Sequence, residues 1–91
     1  MRVIIRVYGP ISSIIGKRHE VEEQDGTTVG AVLNQISEKT GQCKGFLGDF
    51  RIGSHDLAII VNGKNIDVLE GTKSRLSDGD EVVIVQPTSG G

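Results

Sequence analysis

Between Val29 and Thr40 apolar residues recur at helical spacing, with Val29, Val32, Leu33 and Ile36 on one side and Asn34, Gln35, Glu38 and Lys39 on the other. That is the pattern of an amphipathic helix with a single apolar stripe. Asp25-Gly26 supplies a turn before it, Thr27 or Thr28 can cap its first turn, and Gly41 is a natural stop. The patterned segments around it read as strands. One helix with one apolar stripe can cover one face of one small sheet, so the expected architecture is two layers.

The strand-like segments follow from period-two alternation and β-branched content. Arg2 to Tyr8 has the profile of a strand with one well-buried face, ended by Gly9-Pro10. Lys17 to Glu22 alternates charged residues with His19 and Val21, as expected of a strand open to water on one side, and pairs antiparallel with the first. Leu57 to Val61 is nearly continuously apolar and ends in Asn62-Gly63, a dipeptide suited to a tight hairpin turn with positive φ, so Lys64 to Asp67 is the expected return. After the turn at Asp78-Gly79-Asp80, Glu81 to Val85 forms the last strand, and Pro87 blocks further ladder hydrogen bonds. Periodicity fails from Gln42 to Asp56, where Phe46, Leu47, Phe50 and Ile52 predict a folded loop rather than a linker.

The resulting order, β-β-α-β-(β)-β, is that of an α+β β-grasp: a mixed sheet packed on one main helix, with the last strand parallel to the first in the middle. A central strand apolar on both faces makes its outer face informative. With Val82 and Ile84 toward the helix, Val83 and Val85 point away, joined by Ile4 and Ile60. These four are either ordinary exposed apolar surface or a docking patch, and their clustering on neighbouring strands favours the patch.

Ninety-one residues make one domain, too small for a deep ligand cavity plus a second lobe, so no stably bound cofactor is expected. A formal charge of -2 offers no broad basic surface for nucleic acid. The chain opens directly on strand patterning, without the layout of a signal peptide, and no apolar run approaches spanning length; no membrane contact and a cytoplasmic location are expected. The single cysteine, Cys43, cannot form an internal disulfide and is expected to be inert. His19 and His55 lack the partners a metal site needs and read as surface histidines, so no metal is expected. Asp78 and Asp80 read as turn residues rather than an acid-base pair, and no phosphate-binding glycine loop is present.

The chain ends Pro87-Thr88-Ser89-Gly90-Gly91. Two glycines minimise the width of a chain and free its last bonds, as a protein must if an enzyme is to thread its terminus into a narrow active site. Five residues at about 3.3 Å each reach roughly 16 Å. On composition alone, a glycine-rich end is as readily an unconstrained terminus. The expected division is a β-grasp domain over 1–86 and a flexible tail over 87–91.

Val61-Asn62-Gly63, then Leu76-Ser77-Asp78-Gly79-Asp80-Glu81-Val82, then Pro87 and Gly90-Gly91, in that order, resemble the sulfur-carrier branch of the ubiquitin-like family, most of all the small subunits of molybdopterin synthases. The resemblance covers nearly the whole chain. It implies that a ubiquitin-activating-type enzyme uses ATP to adenylate the Gly91 carboxylate and that a sulfur donor displaces AMP to leave a thiocarboxylate. The tail, including Gly90, then enters the active site of a synthase large subunit that carries the catalytic groups, so the chain is no enzyme on its own. Both partners would dock on Ile4, Ile60, Val83, Val85 and Pro87. Gln86-Pro87 stands where many such subunits have a double proline. Related modifiers that are joined to lysines, and sulfur carriers for tRNA thiolation or thiamine synthesis, share the ending and remain alternatives.

Overall fold

The structure, a computed structural model, describes residues 1–42 and 57–86. The expected loop beyond Gln42, with Cys43 and His55, and the tail from Pro87 to Gly91 lie outside the described residues. Strands β1 (Arg2–Tyr8), β2 (Arg18–Glu22), β3 (Ala58–Val61), β4 (Lys64–Asn65) and β5 (Glu81–Val85) form one mixed sheet in the order β2-β1-β5-β3-β4. β1 and β5 are parallel and central, and the other pairs are antiparallel. Helix α2 (Val29–Lys39) supplies the second layer, and a single turn of helix, α1 (Ser12–Ile15), links β1 to β2. This is the ubiquitin-like β-grasp.

The core forms where the periodicities meet. Val3, Ile5 and Val7 of β1, Val21 of β2, Ile59 and Val61 of β3, and Val82 and Ile84 of β5 are buried on the inner face. Val29, Val32, Leu33 and Ile36 of α2 press against them. Burying a side chain of that size stabilises the fold by about 1.5–3 kcal/mol, so the stripe is a main source of cohesion between the layers. The helix ends are satisfied locally. Thr28 is extended and its hydroxyl accepts the Ala31 N–H at 3.2 Å, while the Val29 N–H donates to the Ser74 carbonyl at 2.9 Å. The Thr40 hydroxyl donates to the Ile36 carbonyl at 2.7 Å, closing the helix one residue earlier than the sequence predicts.

Other boundaries shift for physical reasons. Helix α1 has no counterpart in the sequence reading, because four residues are too few to show periodicity; it forms because Ile11 and Ile15 drop into the core. It also overturns the placement of His19 on the surface. Position 19 has the inward parity of β2, and its ring nitrogen bonds the Ile15 carbonyl at the end of α1, leaving the side chain buried. β2 begins at Arg18 rather than Lys17, and β3 at Ala58 rather than Leu57. The Asn62-Gly63 turn has φ of 50° and 86°, as its dipeptide requires. The return strand stops at Asn65, short of the expected Asp67, because Ile66 turns into the core and opens a 3-10 turn over Ile66–Val68. A second such turn, Gly71–Lys73, leads to buried Ser74 and Leu76, which seat the start of α2.

Candidate functional site

The last described residue, Gln86, is held at the far end of β5. β1 and β5 run parallel and in register, Tyr8 opposite Val85, so both strands finish at the same edge of the domain. The Gln86 N–H donates to the Tyr8 carbonyl at 2.9 Å, adding one more rung after β5. Gly9, at φ 95°, turns the chain away directly beneath this rung, and a Cβ built there would lie 2.2 Å from the Gln86 carbonyl oxygen. No real side chain tolerates that approach, so glycine is required for the two chains to part where they do. Gln86 is thereby the anchored root from which Pro87 to Gly91 continue, although the latter lie outside the described residues.

The outer face of the sheet surrounds that root. Ile4, Ile60, Val83 and Val85 all point away from α2 and are part-exposed, whereas their neighbours Ile5, Ile59, Val82 and Ile84 are buried. Registry separates them into two environments. Ile60 pairs with Val83 and Ala58 pairs with Val85, while Val85 also pairs with Tyr8, giving one continuous apolar strip across three strands. Tyr8, 51% exposed, was not singled out in the sequence, although its even-numbered parity with Ile4 could have found it. Ile4 sits apart, with Glu20 and Glu81 as its direct neighbours.

Charged residues frame the strip. Arg6 lies 3.1 Å from Glu81, and Arg2 lies 3.0 Å from Glu20 and 3.2 Å from Glu22. All are substantially exposed, where such pairs contribute about 0–1 kcal/mol, so they shape the surface more than they stabilise it. Asp78 and Asp80 have structural partners: Asp78 accepts the Arg2 N–H at 2.7 Å, and Asp80 accepts from the Asn62 amide at 2.8 Å and the Ser77 N–H at 2.7 Å. Among the described residues no group of three or more His, Cys, Asp or Glu side chains is placed to hold a metal ion, and no helix is long and apolar enough to cross a membrane.

The central strand β5 thus delivers its end to the domain margin, beside an apolar outer face. The sequence matches the pattern of the ThiS family over residues 5–91. The chain belongs to that family. Small archaeal modifier protein 3 of Haloferax volcanii is 27% identical over 93 residues, spanning all of both chains. The solution structure of small archaeal modifier protein 1 from Methanosarcina acetivorans superposes with a TM-score of 0.73 at 27% identity, over 99% of this chain and 96% of that one. A complex of subunits 1 and 2 of the molybdopterin-converting factor from Helicobacter pylori contains a chain with a TM-score of 0.61 and 26% identity, covering 100% of each. The ThiS-family chain is therefore one of the small ubiquitin-like carriers and modifiers, as the resemblance in its sequence implied.

Proposed function

We propose that this ThiS-family protein is a sulfur carrier whose reactive group is the Gly91 carboxylate, and that it donates sulfur in the synthesis of molybdopterin. The observation that carries this reading is the anchored root: Gln86 is bonded to Tyr8 beside Gly9, and Gly91 is the fifth residue after it. A carboxylate has no good leaving group, so activation comes first. A Gly91 carboxylate oxygen attacks the α-phosphorus of ATP on an activating enzyme, pyrophosphate leaves, and an acyl adenylate forms. A sulfur nucleophile at the sulfide level then attacks the acyl carbon and expels AMP, leaving a thiocarboxylate. ATP belongs to the activating enzyme. In this reading a large-subunit partner receives the tail and supplies the catalytic groups, and the strip Ile60, Val83, Val85 and Tyr8, together with Ile4 and Pro87, is the contact surface. The test is intact mass after incubation with an activating enzyme of the ubiquitin-activating type, ATP and sulfide. The expected result is a gain equal to replacing one oxygen by sulfur, located at Gly91 and absent when Gly91 is deleted. A gain that persists in the truncated protein would overturn the proposal.

A second reading, a modifier joined through Gly91 to lysines of other proteins, is supported by the full-length similarity to a small archaeal modifier protein. It uses the same adenylate but a lysine amine as nucleophile. It predicts higher-mass conjugates in cells that vanish on removal of Gly91, whereas a dedicated sulfur carrier yields the thiocarboxylate alone.

A further inference from the structure

The charges of the domain are sorted along the strand axis. At the end where β1 starts, Glu22, Asp25 and Asp78 contact Arg2 or the terminal ammonium, and Asp80 lies in the adjoining turn, bonded to Asn62 and Ser77. At the opposite end, where β1 and β5 finish, Arg6 and Arg18 are direct cross-strand partners on the outer face, with Lys17 next in the chain. Like charges placed opposite each other on neighbouring strands destabilise a sheet, and here each arginine is offset only by an exposed ion pair, which contributes about 0–1 kcal/mol. The carboxylates nearest to them, Glu81 at 3.1 Å from Arg6 and Glu20 at 3.6 Å from Arg18, stand two residues back along β5 and two along β2, toward the acidic end. Lys17 has no ion pair among the described residues. Together Arg6, Lys17 and Arg18 line an open groove of about 450 Å³ with Tyr8, Gly9 and Ser12. This groove abuts the root of the tail, because Gln86 is bonded to Tyr8 and packed on Gly9.

We infer that the groove is a docking surface for an acidic rim around the tail-receiving channel of the activating enzyme. The inference rests on the reading that Gly91 is activated. A five-residue tail extends at most roughly 16 Å, so whatever protein closes around Gly91 must come up against the residues beside Gln86. That distance is about two Debye lengths at physiological salt, over which exposed charges are largely screened, so the three cations act on the approaching surface only as it nears contact. The acidic opposite end makes the field directional: an acidic channel mouth attracts the tail end of the domain and repels the other. Such complementarity sets approach and register more than it sets final affinity. The apolar strip then supplies the contact that follows.

The experiment is pyrophosphate release by the activating enzyme from the same genome, with the full-length chain as substrate, at about 50 mM and about 0.5 M salt, chosen to span weak and strong screening. Lys17→Glu/Arg18→Glu is compared with Lys64→Glu/Lys73→Glu, which changes net charge equally but away from the tail root. The expected result is a loss of about tenfold in kcat/KM for the first pair at low salt, carried by KM with kcat unchanged, and shrinking toward unity at high salt. The second pair should stay within about twofold of the parent. Equal losses in both pairs, a loss carried by kcat, or no loss would overturn the inference. Lys17→Gln/Arg18→Gln repeats the test with a milder change should the reversal disturb the fold. If the parent chain releases no pyrophosphate, the activation reading fails instead, and salt-dependent binding of the same variants to the enzyme decides the surface.

Discussion

Replacing Gly9 by alanine tests the account of the tail root directly. An L-residue at φ near 95° costs about 1–2 kcal/mol from its Cβ meeting its own backbone. The new Cβ would also stand 2.2 Å from the Gln86 carbonyl oxygen and 3.1 Å from two further Gln86 atoms, so the two chains must move apart by about 1 Å before ordinary contact is reached. That movement stretches the Gln86–Tyr8 hydrogen bond, now 2.9 Å, to the limit of its range, at a cost of about 1 kcal/mol. The total is about 3 kcal/mol, or roughly 12–24 °C in Tm for a domain of this size. Gly79→Ala is the control. Its φ is 83°, with no heavy atom within 4 Å of the built Cβ, so it should carry the backbone cost alone, about 1–2 kcal/mol. Urea unfolding of both variants and the parent, followed by circular dichroism, supplies the comparison. Losses equal within about 0.5 kcal/mol would show that the close approach of Gln86 to Gly9 does not constrain the chain, and the anchored root would have to be abandoned.

Two further substitutions separate surface from core and local from tertiary effects. Val83→Asp, outward on β5 and opposite Arg6, should change stability by no more than about 1 kcal/mol while abolishing partner binding in a pull-down with the activating enzyme; Ile84→Ala, one residue on and fully buried, should cost about 2–5 kcal/mol in urea unfolding. Thr28→Ala removes the hydroxyl that accepts the Ala31 N–H and should lower stability by about 1 kcal/mol, recovered in large part by Thr28→Ser and measurable by thermal melting.

Much of the fold was legible because its segments carry their own period. Val29, Val32, Leu33 and Ile36 name the buried stripe of α2, and the Val-Val-Ile-Val run of β5 divides into Val82 and Ile84 inward, Val83 and Val85 outward, by parity alone. The positive φ of Asn62-Gly63 and the cap made by Thr28 are set within their own turns, so those roles could be read locally, whereas the bonds of Asn62 to Asp80 and Glu81 could not. Helix α1 and the two 3-10 turns could not be read this way. Each is three or four residues long, below the length at which periodicity is detectable, and Ile11, Ile15 and Ile66 are held by neighbours distant in sequence. Of the candidate site, the outward direction of Ile4, Ile60, Val83 and Val85 was legible, but not that Ile4 is set among carboxylates while Tyr8 completes the strip. Which residues lie side by side depends on strand registry, which the chain sets only when the sheet assembles.

The sequence by itself determined the two-layer plan and the central position of the last strand, since each follows from spacing or composition within a short window. Tertiary structure decided what surrounds Gln86. The parallel register of β1 and β5 brings Tyr8 and Gly9 against Gln86, and the antiparallel register of β1 and β2 sets Arg6 against Arg18. Arg6 and Arg18 are twelve residues apart, and Gly9 and Gln86 seventy-seven apart. No local pattern relates residues at such separations; only hydrogen-bond registry across the sheet makes them neighbours.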